Sequence, residues 1–465
     1  MAWETGNAAG HNDLINKLVA FLSTNADLVA AGQQWDILRN SDLPFTTAPL
    51  TRIGFNYWDG SSTAYSLTAP DPWPITVPAT QVKMKITGTL IAPSTGNYVF
   101  SLLADDYAEL YIDGALAAGV YTSNLTNTFA STATIALTAG NHTLEVRFIQ
   151  ASTTLSTNPG LSLGWRKPGD GALSLIPAAN YSGLSIAYGY STVYNSSSLD
   201  LNAAMDTREV IVKGPGLAGA EDIYVTMRTH SSAQGDTYNV VTQYATGYDP
   251  TKATDQQPGA VGITNAVYSL MWNQTIKYWF IANGRRFIVI AKISTTYASL
   301  YGGFILPYGL PSEMPYPIAV GANSPTNSRW SIQNSDNSSF WNPAGIDSNT
   351  ASLALRRTDG TIEYVRNIYT SGASPARTYP YGSISGGTNQ VQYRNSADLS
   401  YALEPVAIYS TAGGGNVWGE LDGVFCISGF NNASENTQVV DGKTYLVVQG
   451  AYRTTATDYA AILLE

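Results

Sequence analysis

The stretch STGNYVFSLLADDYAELYIDGAL, residues 94–116, decides how this chain is read. Apolar residues alternate in NYVFSLLA and again in YAELYI, the two-residue period of strands that rest one face on a core. Between the runs stand two adjacent carboxylates, Asp105 and Asp106, and after the second run comes Asp113-Gly114. An Asp-Gly pair closes a two-residue hairpin, because a type I′ turn needs positive φ at both central positions. The adjacent carboxylates admit two readings. One is a solvated turn. The other is a site for a hard divalent cation such as Ca²⁺, since neighbouring carboxylates offer several oxygen ligands at once.

The same alternation extends outward. HTLEVRFIQ sets Leu144, Val146 and Phe148 against Thr143, Glu145 and Arg147, LSLGW alternates Leu161, Leu163 and Trp165, and TIAL alternates Ile135 and Leu137. Short strands with regular turn signals between about 52 and 182 argue for a β-sandwich. Helical spacing occurs only in residues 11–35, where Leu14, Leu18, Phe21 and Leu22 share a face, Asn12 or Asp13 caps the start, and after a break a second short helix ends at Gly32. Beyond 183 the pattern is again β. KYWFIANGRRFIVIAKI, residues 277–293, reads as two runs joined by Asn283-Gly284, apolar on both faces and therefore expected inside a core or a subunit interface. Asp359-Gly360 and Asp441-Gly442 mark further hairpins. PYGLPSEMPYP, residues 307–317, reads as an extended crossing, and the Asn- and Ser-rich stretch 323–349 as a boundary.

A length of 465 residues suggests two to four domains. Charged residues make up 12%, half the usual share of about 25%. With 44% apolar and 11% aromatic residues the chain buries large cores, which excludes disorder. A net charge of −10 and the lack of any Lys/Arg block exclude nucleic acid as a partner. No apolar run approaches the roughly 20 residues of a membrane span, so no membrane insertion is expected. The first residues have neither a basic nor an apolar leader region, so no Sec signal is expected. The single cysteine, Cys426, excludes an internal disulfide and reads as a small buried hydrophobe in GVFCISGF. An adhesin-like composition without export signal or disulfides fits a virion protein, assembled in the reducing host cytoplasm.

GPGLAG, residues 214–219, matches the dinucleotide pattern GxGxxG, but the alternating EDIYVTMRT after it is a strand, not a helix, so it reads as a turn. His11, His142 and His230 show no metal spacing, and no serine sits in a nucleophile elbow. Asp105, Asp106, Glu109 and Asp113 lie close in sequence, yet nothing around them marks the cleft a glycosidase needs. The chain is not expected to be an enzyme.

VKMKITGTLIAPSTGNYVFSLLADDYAELYIDGAL, STATIALTAGNHTLEVRFIQ and GLSLGWRKPG together resemble the protective-antigen-type domain, a lectin-like β-sandwich of toxins, flocculins and adhesins. In its sugar-binding members an Asp pair, joined by a cis peptide, ligates a Ca²⁺ that also contacts sugar hydroxyls. The resemblance places that pair at Asp105 and Asp106. Tyr107, Tyr121 and Phe129 are the candidate aromatics for a sugar face. The flanking segments VIVKGPGLAGAEDIYVTMRT, GGFILPYGLPSEMPYPIAVGA and GELDGVFCISGFNNASENTQVV resemble structural tail proteins of tailed bacteriophages.

The expectation is a mainly β, multi-domain chain with a short N-terminal helical segment and a sandwich inserted in a β-rich scaffold. Its parts are 1–50 (helical part of the scaffold), 51–183 (sandwich), 184–325 (β-rich scaffold) and 326–465 (C-terminal β-rich domain). The function expected is a virion tail component (tail-tip, baseplate, collar or fibre-associated) that contacts other tail proteins and itself, as a homo-oligomer, with Asp105, Asp106, Tyr107 and Tyr121 binding a host-surface polysaccharide through Ca²⁺. The rival readings are a purely structural virion protein and a polysaccharide depolymerase.

Overall fold

The computed structural model describes residues 1–42, 54–55, 82–105, 107–121, 134–150, 160–190, 205–232, 237–252, 254, 257–262, 265–326, 328–330, 338–343, 351–367, 376–381, 397, 399–410, 416–451 and 455–465. The chain is mainly β and forms two units: Met1–Asn40 with Arg208–Glu465, and Ser41–Thr207, which interrupts the first in sequence.

In Ser41–Thr207 the period-2 runs become two five-stranded sheets. One is ordered Ser174–Leu175, Gly160–Arg166, Gly96–Asp105, Thr134–Leu137, with Gly54–Phe55 also paired to Gly160–Arg166. The other is ordered Tyr181–Tyr190, Val82–Ala92, Gly140–Gln150, Tyr107–Ile112, Ala115–Tyr121. Alternate residues of each strand meet in one core: Tyr98, Phe100 and Leu102, Leu161, Leu163 and Trp165, Leu144, Val146 and Phe148, Ala108, Leu110 and Ile112. Tyr98 sits in this core because its hydroxyl is satisfied, donating to the Ser94 carbonyl at 2.8 Å.

Among the described residues the other unit holds three sheets. The hairpin of Ile276–Ala282 and Arg286–Ile293 lies inside a seven-stranded sheet that runs from Ala2–Ala8 to Ile362–Val365. Its two apolar faces serve two cores. Phe280, Phe287 and Val289 pack with Leu18, Leu22 and Trp35, while Ile281, Ile288 and Ile290 pack with Val424, Cys426 and Ile462. The hairpin is thus an internal layer, which explains why neither face is polar. The boundary expected near 325 falls within this sheet, since Leu353–Arg356 pairs with Ile318–Gly321 through Val320 and Ala354. The Asn- and Ser-rich composition there marks a connection between paired strands.

Local details differ from expectation for identifiable reasons. The helix spans His11–Thr24 with Gly10 at the cap position. Asp13 reaches back from the first turn, its carboxylate accepting from the Ala9 amide at 2.8 Å. Asn25 caps the short helix Ala26–Ala30, and Gly32 follows with φ 64°, as expected of a helix stop. GPGLAG is a loop between Met205–Gly214 and Ile223–Ser232. It docks on the Asn283 loop, where the Gly216 amide donates to the Gly284 carbonyl at 2.8 Å. Within 307–317 only the first residue is regular, in the short strand Leu306–Pro307 paired to Gly419 and Glu420. No described helix is long and apolar enough to cross a membrane.

Candidate functional site

The Asp pair sits where the chain changes sheets. Asp105 is the last residue of Gly96–Asp105 and pairs with Gly160, whereas Tyr107 opens Tyr107–Ile112 in the opposite sheet and pairs with Ile149 and Tyr121. The crossing takes one residue, Asp106. Strand register therefore gathers Asp105, Tyr107 and Tyr121 at one end of the sandwich. Asp106, Phe129, the side chains of Asp105, Tyr107 and Tyr121, and the peptide joining the two aspartates lie outside the described residues.

At the opposite end, Asp113 (φ 49°) and Gly114 (φ 79°) form the expected type I′ turn. The Asp113 carboxylate accepts from the Thr143 amide at 2.8 Å and lies 2.6 Å from His142 Nδ1, while His142 Nε2 lies 2.8 Å from the Thr138 carbonyl. Burial disfavours an imidazolium at His142, but the Thr138 carbonyl and Asp113 outweigh it and raise its pKa above 6.5. Burial likewise opposes ionisation of Asp113, and the bonds from His142 and Thr143 outweigh it and lower its pKa below 3.8. The histidine is a lock on the hairpin.

Between these ends, the solvent-facing side of the second sheet carries two polar rows set by register. Glu109, Arg147 and Lys85 lie abreast in one; Tyr111, Glu145, Thr87 and Ser185 in the next. The Arg147 guanidinium lies 4.1 Å from the Tyr111 ring centroid, and its Nε donates to Glu145 at 2.5 Å. Lys85 contacts the second Glu145 oxygen at 3.0 Å, and the Tyr111 hydroxyl donates to Glu109 at 2.8 Å. Burial raises the Glu145 pKa, but Lys85 and Arg147 more than reverse this and hold it below the usual carboxylate range. Sequence reasoning treated Glu145 and Arg147 only as the exposed half of a strand. The available signal was two opposite charges at i and i+2 in a chain this poor in charge.

Two further described groups are held by burial. His11 is buried with Nε2 2.8 Å from Ser231 Oγ, and burial with the neighbouring His230 pushes its pKa down to about 4, too weak a base to activate a hydroxyl at neutral pH. Burial pushes the Cys426 thiol up to about 12, so it is inert. Among the described residues no three His, Cys, Asp or Glu side chains are placed to hold a metal.

Comparison with known proteins identifies a PA14 domain at residues 62–177. Among solved structures the chain is similar to the PA14 domain of the MpAFP antifreeze protein (18% identity, TM-score 0.18). It is also similar to the epithelial adhesin 9 A domain of Candida glabrata, solved in complex with Galβ1-3GlcNAc (14% identity, TM-score 0.18). Both likenesses cover 24% of this chain and 55% of the other. An anti-sigma factor domain-containing protein from Clostridium clariflavum matches at 14% identity and a TM-score of 0.20, over 48% of this chain and 55% of that one. The chain thus spans about half the length of these structures. No curated protein matches.

Proposed function

We propose that the PA14 domain is a Ca²⁺-dependent glycan-binding module. The observation that carries this reading is the one-residue sheet crossing, which sets consecutive carboxylate residues and the Tyr107–Tyr121 pair at one end of the sandwich. Asp105 and Asp106 would hold the cation; their donors are hard oxygens, which suit Ca²⁺. Bound there, calcium would supply a Lewis-acidic contact for sugar hydroxyls. The chain's own part would be to bring Asp105 and Asp106 to the end of the sandwich where strand register also sets Tyr107 and Tyr121, whose rings would serve an apolar sugar face. The module binds without altering its ligand.

The scaffold is proposed as a structural part of a phage tail, in contact with other tail proteins and with its own copies. That assignment rests on the sequence resemblance and the composition. Repetition of the module around a symmetric particle would raise avidity for a host polysaccharide without new contacts.

The test is a glycan array probed with the full chain in Ca²⁺ and in EDTA, starting from neutral galactosides, the ligand class held by the Candida glabrata adhesin domain. The expected outcome is a Ca²⁺-dependent share of retention that EDTA and Asp106→Asn both remove. Retention indifferent to both would remove the Asp pair from the site.

A further inference from the structure

The polar rows on the sandwich sheet frame a second concavity, remote from the Asp pair. It has a volume of about 500 Å³ and is lined by Thr87, Tyr111, Thr143, Glu145 and Arg147, with Gly114 at its edge. That volume lies within the range of small-molecule sites, roughly 300–1,000 Å³. Tyr107 and Tyr111 are four residues apart on one strand, so about 13 Å of sheet separates this end from the Asp corner. One monosaccharide cannot touch both.

We infer that this concavity is a metal-independent subsite for a neutral saccharide unit. Its charges are balanced: Lys85 and Arg147 face Glu109 and Glu145, and the ion pairs among them leave no net charge to draw an anion or a cation. What remains is a dense set of oriented donors and acceptors. Thr87 and Thr143 add hydroxyls on neighbouring strands. The Tyr111 ring is held by the guanidinium against it and by its hydrogen bond to Glu109, so little side-chain freedom is lost when a ligand arrives. Gly114 leaves the rim open, since a Cβ there would meet nothing within 4 Å. An aromatic ring, a fixed guanidinium–carboxylate pair and hydroxyls around a neutral cleft suit a polyhydroxylated ring.

This inference deepens the glycan-binding reading and is tested so that the two fail separately. Saturation-transfer NMR on the full chain would use lactose and cellobiose, with glucuronate as the anionic control, in Ca²⁺ and in EDTA. The variants are Thr87→Trp, which fills the concavity, Tyr111→Phe, which keeps the ring, and Asp106→Asn. The expected result is disaccharide binding that persists in EDTA and in Asp106→Asn, weakens at least tenfold in Thr87→Trp, and weakens less in Tyr111→Phe. Binding seen only with Ca²⁺, lost in Asp106→Asn and unaffected by Thr87→Trp, overturns the subsite and leaves the Asp corner standing. Binding only in its EDTA-resistant form does the reverse. Preference for glucuronate overturns the neutral assignment, and no saccharide binding in either buffer overturns both readings.

Discussion

At Asp113 a single carboxylate holds a turn, a neighbouring strand and a histidine. It sits at φ 49° in the hairpin, accepts from the Thr143 amide, and faces His142. The pH dependence follows from the two shifts. His142 is raised above 6.5, so its stabilisation is complete below 6.5 and is lost as pH rises through the higher folded value. Asp113 is lowered below 3.8, so its share is complete above 3.8 and is lost as pH falls through the lower value. The lock is therefore tightest between about pH 4 and 6.5. Thermal unfolding across pH should show wild type melting above His142→Asn in that window, with the gap closing toward pH 9. A gap constant from pH 5 to 9 would assign His142 no ionic part. The Leu-Thr-Ala-Gly-x-His motif was visible in the sequence, but not its role, because the histidine's partner lies 29 residues away.

Among the elements, hairpins separate what is local from what is not. Asp441-Gly442, like Asp113-Gly114, is a type I′ turn, with φ 51° and 76°. Such a turn depends only on its own two residues, so it was legible. At Asp359-Gly360 only the glycine has positive φ; the Asp359 carboxylate accepts from the Thr361 amide at 2.9 Å, and the Arg357 amide donates to the Thr361 carbonyl. At Asn283-Gly284 neither residue has positive φ, and Asn283 Oδ1 accepts from the amides of Arg285 and Arg286. Gly284 is there for close approach: a Cβ would stand 2.1 Å from the Gly216 carbonyl oxygen. No local reading could find that contact. It predicts that Gly284→Ala costs about 1–3 kcal/mol through forced backbone separation. Gly442→Ala, with open space around it but φ 76°, should cost about 1 kcal/mol. Denaturant unfolding of both variants checks this, and a Gly284→Ala cost below that of Gly442→Ala would contradict it. The strand HTLEVRFIQ was legible as to which residues face the core, while the cleft above it was not, because its lining comes from three strands of differing register.

For the molecule as a whole, the interrupted architecture has a thermodynamic consequence. Ser41–Thr207 and the remaining unit each bury their own cores, so calorimetry should resolve two unfolding transitions. Phe148→Ala, at a fully buried sandwich position, should lower one by about 3–5 kcal/mol, and Phe280→Ala the other. A single transition moved by both would deny their independence. The insertion was legible because an ordered series of motifs marks the guest. The continuity of the scaffold past residue 325 was not, because pairing between Ile318–Gly321 and Leu353–Arg356 leaves no trace in composition. The site divides the same way. Adjacent aspartates are visible in any reading, whereas their place at a one-residue crossing between sheets emerges only from the ladder. That corner is the central claim, and calorimetric titration of the full chain with Ca²⁺ tests it most directly. The account predicts one saturable site per chain, lost in both Asp105→Asn and Asp106→Asn while both variants keep the wild-type melting profile in EDTA. No heat of binding, or binding that survives both substitutions, would contradict it.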